Sequence, residues 1–183
     1  MLRITVPARE FYDESKEEFV EIKEQTLVME HSLISISKWE AKWKKPYLSD
    51  NVEKTTEEAL DYLRCMTIMP ANVDPLVYKS LSSKNVEDIS NYIKDPMTAT
   101  TINRFRTSNG RKEVLTSELI YYYMIAQNIP VEFEKWHINR LITLIEVCAI
   151  KNDPNPKKMS RSAIAKQNRA INNARRARYK TKG

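Results

Sequence analysis

Two glycines in 183 residues restrict this chain more than any other feature. Phosphate-cradling loops and dinucleotide-binding turns need several glycines. Only glycine lets backbone approach a phosphate closely or take a positive φ without steric cost. A P-loop and a dinucleotide fold are therefore disfavoured, as is a fold dense in tight turns. With 42% hydrophobic and 30% charged residues, the chain reads as globular and rich in helices with polar faces. A chain of this length is expected to form one domain and to bury roughly 70% of the surface its unfolded form exposes.

Charge divides that chain in two. Residues 157–183 hold ten Lys/Arg and no acid, whereas residues 1–156 hold 20 Lys/Arg against 24 Asp/Glu. Residues 10–30 alone carry eight acids and two lysines. The polar, proline-containing "KNDPNPKK" reads as a linker. The expected organisation is a mainly helical globular domain over 1–155 and a basic helical tail over 156–183.

Local patterns give an α+β, mainly α fold. "LRITV" (2–6) predicts a short strand, and "EFVEIKEQTLVME" (18–30) a strand or hairpin. In "HSLISISKWEAKWKK" (31–45), Ile36, Trp39 and Trp43 share one helical face and lysines another; Pro46 ends it. Thr55 and Glu58 have capping-box spacing, with Ala59, Leu60, Leu63 and Met66/Thr67 as the inward stripe. Asp74-Pro75 starts another helix, and 85–94 places Val86, Ile89, Tyr92 and Ile93 on one side. The Thr-rich segment around Ser-Asn-Gly predicts a small hairpin with arms near 99–106 and 111–115. Thr116 or Ser117 caps a helix that ends at Gln127-Asn128. A second helix is expected from about Glu132 to Ile150. Ser160 caps a last one.

Chemical motifs are sparse. His31 and His137 are the only histidines, and the metal-binding spacings HExxH and CxxC are lacking, so no metal or cofactor site is expected. His137 reads as a helix-boundary residue. It sits eleven positions before Cys148, roughly 16 Å of helical rise, too far for a Cys-His pair. Clustered carboxylates look like solvated faces, because catalytic pairs need burial to separate their pKa values. Cys65 and Cys148 lie in apolar surroundings and read as buried free thiols of a reducing cytoplasm. The start of the chain lacks a signal peptide's apolar core, and no apolar run approaches the roughly 20 residues that span a bilayer. The expectation is a soluble, intracellular protein that does not enter membranes.

The aromatic residues are the remaining candidates for contact. Tyr121, Tyr122 and Tyr123 are consecutive, so on a helix they point about 100° apart and cannot form one flat stacking row. With Leu119, Ile120, Met124 and Ile125 they make that helix apolar nearly all round, which fits a central helix buried by its fold alone or by its fold and a partner. Trp136 and the apolar arc after it extend the same surface. Trp39 and Trp43 are core anchors or the aromatic face of a docking helix. In the tail, Lys157, Lys158, Arg161, Lys166, Arg169, Arg175, Arg176 and Arg178 can neutralise phosphates. The same charges also suit an acidic protein surface, the 10–30 segment of this chain or of another copy among them.

Four segments, "HSLISISKWEAKWKKPYLS", "KTTEEALDYLRCMTI", "TSELIYYYMIAQNIPVEFEKWHINRLITLIEVCAIKN" and "KKMSRSAIAKQNRAINNARR", resemble a family of small tailed-bacteriophage proteins described as tail assembly chaperones. The resemblance covers most of the chain and rests on no catalytic motif. It implies a morphogenesis role without catalysis: binding the long, helical tape measure protein in the host cytoplasm while tail tube subunits assemble, then leaving before the virion is complete. The alternatives are a virion structural protein of the tail or head-tail connector, and a nucleic-acid-binding protein acting through 157–183. Self-association is compatible with each.

Overall fold

The computed structural model describes residues 1–13, 17–49, 51–102, 114–154 and 161–179. Among them the fold is α+β and mainly α. Four strands open it: β1 (Leu2–Val6), β2 (Arg9–Asp13), β3 (Glu18–Ile22) and β4 (Gln25–Met29). β1 pairs antiparallel with β4, and β2 with β3. One register runs through both ladders: Leu2 faces Met29, Val6 faces Gln25, Arg9 faces Ile22 and Asp13 faces Glu18. The four strands are thus one long hairpin interrupted once. Pro7 sits at the interruption and has no N–H to give a ladder. The strand expected at 2–6 is present. The segment 18–30 does form strands, but it pairs back onto β2 and β1 instead of folding on itself.

The proximal half of the hairpin belongs to the core. Ile4, Val6, Leu27 and Met29 alternate inward and are buried, as period-two patterning requires. A fifth strand, β5 (Thr67–Met69), completes a sheet of order β1-β4-β5. Sequence patterning extends the preceding helix through this segment. Instead it stops at Met66, whose carbonyl accepts from the Glu30 amide at 2.9 Å, and the β-branched residues that follow enter the sheet.

Helices cover this sheet. α1 (Leu33–Trp43) is capped by Ser32, which accepts from the Ser35 amide, and ends on Lys44 at φ 56°. α2 (Thr56–Met66) carries the expected Thr55/Glu58 capping box. α3 (Pro75–Lys79) starts from Asp74. α4 (Ser83–Lys94) begins two residues earlier than its pattern indicates, because Ser82 and Asn85 form a second reciprocal cap. The Asn85 side-chain amide also donates to the Thr5 carbonyl at 3.2 Å, tying α4 to β1. α5 (Ser117–Ala126) is capped by Thr116.

The helix expected from Glu132 is divided. Val131–Lys135 is a 3₁₀ turn, Trp136 is extended, and α6 (Ile138–Lys151) starts afresh with His137 as its cap. The Ile138 amide donates to the His31 carbonyl at 2.7 Å, which pins this second start to the head of α1. α7 (Arg161–Tyr179) is last; its expected cap, Ser160, and the expected boundary at 155/156 lie outside the described residues. The hairpin expected near 99–115 falls largely on 103–113, also outside them, and its described parts are not strand.

The core gathers Val6, Leu27, Met29, Leu33, Ile36, Trp39, Tyr62, Met66, Ile120, Ile138 and Leu141, all at most 1% exposed. Each large apolar side chain contributes about 1.5–3 kcal/mol through burial.

Candidate protein-docking site

The two tryptophans of α1 part company. Trp39 is fully buried and donates its Nε1–H to the Glu58 carbonyl at 2.8 Å. This corrects the docking-face alternative for Trp39: its ring is an internal anchor, out of reach of a partner. Trp43 is half-buried, gives its Nε1–H to Asp61 Oδ2 at 2.8 Å, and has Lys42 Nζ 4.9 Å from its ring. Both indoles join α1 to α2.

Polar residues brace the same joint. Glu40 is buried, and its two carboxylate oxygens accept from the backbone amides of Tyr47 and Ser117, each at 2.7 Å. One side chain therefore clamps the segment after α1 and the first residue of α5. Glu58 accepts from Lys45, and that bond, with the Thr55 amide, holds its carboxyl below the usual range. Burial pushes the Asp61 carboxyl up, but hydrogen bonds from Lys42 and Trp43 outweigh it and the net direction is down.

The two histidines, 106 positions apart, meet edge-to-face with centroids 5.1 Å apart. His31 Nδ1 pairs with the Tyr62 hydroxyl. Burial, helped by His137, lowers the His31 pKa to about 3. His137 Nδ1 accepts from the Asn139 amide, so its Nε2–H donates to the Tyr92 carbonyl at 3.0 Å. Burial lowers its pKa too, against the pull of that bond. These are neutral structural histidines. Cys65 and Cys148 are free and half-buried, more accessible than their apolar surroundings imply.

The tyrosines point three ways, as helical geometry demands. Tyr121 is half-buried and donates to Glu134 Oε2 at 2.7 Å. Tyr123 is half-buried beside Tyr122, with ring centroids 5.6 Å apart. Tyr122 is 61% exposed, and Ile125 is 75% exposed. With Ala126 they give α5 an uncovered apolar stripe. Trp136 lies apart from it, stacked on Phe133 at 4.1 Å and covered by the Arg140 guanidinium at 3.9 Å.

A second apolar surface was not anticipated. The inward face of α2 is Glu58-Tyr62-Met66, at i, i+4, i+8. Of the stripe expected to point inward, Met66 does so, whereas Ala59, Leu60 and Leu63 face α3 and α4 across an open groove of about 640 Å³. Leu81, Val86 and Ile93 supply its other wall, and Lys79 and Lys94 are the charged residues that line it. Val86 is 54% exposed there. The apolar periodicity of α2 and α4 signalled this surface; only the polar anchors of Glu58 and Tyr62 decide which stripe turns inward. A concavity of about 550 Å³ beside Arg64, Asn72 and Asp74 is polar by contrast.

The basic residues Arg161, Lys166, Arg169, Arg175, Arg176 and Arg178 are all exposed on α7, and Lys157 and Lys158 lie outside the described residues. No helix among the described residues is long and apolar enough to cross a membrane. Comparisons with protein-family models, curated proteins and solved structures returned no match.

Proposed function

We propose that this chain is a tail assembly chaperone that holds the tape measure protein of a tailed phage in the host cytoplasm, acts without catalysis, and leaves before the virion is complete. The resemblance of four long segments to that family suggests the role. The observation that carries the reading is the open groove between α2 and α4, lined by Leu60 and Leu63 on one side and Val86 and Ile93 on the other. A groove of this kind accepts the apolar face of an amphipathic helix, read through anchors at i, i+3/i+4 and i+7. Lys79 and Lys94 at its lining favour acidic residues beside those anchors. The uncovered stripe of Tyr122 and Ile125 offers a second contact to a long client, and two modest contacts on one client bind through effective concentration while each remains reversible.

The test is co-expression with a tape measure protein from the same genome. The client is expected to move from the insoluble to the soluble fraction, and purified virions are expected to lack this chain by mass spectrometry. An insoluble client, or a fixed copy number in virions, would replace the chaperone with a structural tail or connector protein.

A further inference from the structure

The distal half of the long hairpin, β2–β3, is an arm whose outer face is oddly composed. Cross-strand pairs share a face. Tyr12 opposes Phe19 with ring centroids 5.1 Å apart. Glu10 opposes Glu21. Tyr12 is 53% and Phe19 73% exposed, and both glutamates are exposed. Like charges directly across a ladder destabilise it, while the aromatic pair supports it modestly and leaves most of both rings in water. The glutamate pair does not help the arm alone, and the rings keep apolar area uncovered. Both suit a partner that is cationic and partly apolar: a carboxylate pair takes guanidinium groups, and aromatic faces take apolar side chains or cations.

α7 has that composition. It contains one lysine and five arginines without an acid. None of its arginines pairs with a carboxylate of its own chain among the described residues. Ile164, Ile171, Arg175 and Arg178 fall within an arc of about 60° at 100° per residue. Ile171 and Arg175 are about 6 Å apart along the helix. Along the arm, the Tyr12/Phe19 pair stands about 7 Å from the Glu10/Glu21 pair. A helix laid along the arm thus sets Ile171 on the rings with Arg175 and Arg178 over the carboxylates.

We propose that the β2–β3 arm of one copy receives α7 of a second copy. Each copy carries one arm and one tail, so two copies satisfy each other reciprocally. The association goes beyond the chaperone reading and stands whether or not a client binds.

The experiment is sedimentation of the full chain over a concentration series, at about 50 mM and about 500 mM salt. At low salt the mass is expected to rise from the 21.4 kDa monomer with concentration, and to return towards it at high salt. E10K/E21K and R175E/R178E are each expected to weaken association by about tenfold or more. Mixing the two variants is expected to restore it, since a basic arm then meets an acidic tail. Circular dichroism of each variant checks that it folds. Three results overturn the proposal: a monomer throughout at low salt, an arm–tail cross-link formed within one monomer, or a mass increase that nuclease abolishes. The last would assign α7 to nucleic acid.

Discussion

The body and the periphery use charge in opposite ways. In the body, each charged or polar group that enters the interior meets a specific partner. Glu40 holds two backbone amides, Asp61 holds Lys42 and Trp43, and Glu58 closes a cap and binds Lys45. Among the described residues no buried side-chain nitrogen or oxygen lacks a hydrogen bond. On the outer face of the arm and on α7, charges of one sign stand together in water. An unmade bond in the body costs the full desolvation of the orphaned group, while surface charges contribute little to stability and much to partner choice. The body's polar residues are therefore structural, and those of the periphery are available for recognition.

The strongest way to break this comparison is to remove its central anchor. Trp39→Ala empties a fully buried site and removes the indole N–H bond to the Glu58 carbonyl. The expected loss is about 3–5 kcal/mol, a large part of the stability of a domain this size. Urea denaturation measures it, and a loss below about 1 kcal/mol would contradict the anchoring role.

Acid probes the histidines. The folded pKa of His31 is depressed to about 3 by burial and by His137, whereas the unfolded chain takes up that proton near pH 6.5. The unfolded state thus binds more protons between these values. Stability is complete above pH 6.5 and falls as pH drops towards 3, by up to roughly 1.4 kcal/mol per pH unit. Glu58 and Asp61, whose folded pKa values are also lowered, add losses only as pH falls into the carboxylate range. Urea midpoints at pH 7.5, 6 and 5 should decline stepwise. His31→Gln, whose amide can pair with the Tyr62 hydroxyl in either direction, should reduce the decline above pH 5 and leave the share that comes from His137, whose pKa is also lowered. Of similar size is Glu40→Ala, which strips acceptors from two amides and is expected to cost about 2–3 kcal/mol in the same assay; Glu40→Gln, retaining one acceptor, should recover about half.

Much of this fold was legible in the sequence, and the failures share a cause. Short-range signals with a mechanism succeeded: the Thr55/Glu58 box, Asp74-Pro75, Thr116, and the three directions of Tyr121–Tyr123. What failed depends on contacts distant in sequence. The choice of inward face on α2 is decided by Tyr62 meeting His31 and by Glu58 meeting Lys45 and Trp39, and hydrophobicity alone favours a stripe of which Met66 is buried but Leu60 and Leu63 only partly so. The restart at His137 depends on the bond from Ile138 to His31. Glu40 looks like one more solvated charge until α5, 77 positions later, brings Ser117 to it. Of the candidate site, Tyr122 was legible as surplus apolar surface. The groove was not, because its lining was credited to the core.

The groove and the α5 stripe sharpen the comparison, since they are apolar yet belong to the periphery in energetic terms. Val86→Glu and the pair Tyr122→Ser/Ile125→Ser replace side chains more than half exposed. Each is expected to shift stability by about 0.5 kcal/mol or less. Each should nonetheless reduce the soluble client in co-expression, Val86→Glu more strongly, because its carboxylate enters the groove. Equal rescue by both variants and the parent chain would separate these surfaces from client binding.

The smallest expected effect is the most diagnostic of the division itself. Every charged residue described on α7 is exposed, and among its residues of described burial Gln167 and Ile171 are partly covered. Truncation after residue 155 therefore removes charge and helix without opening the core. The change in stability should stay within about 0.5 kcal/mol, or roughly 1–2 °C in Tm for a chain of this size. A fall of more than about 5 °C would mean that the tail packs on the body. The same truncation should abolish any steeply salt-dependent nucleic-acid binding, since the remaining chain is net acidic. Intact thermal stability with altered salt-dependent association would place the tail's contribution outside its own fold.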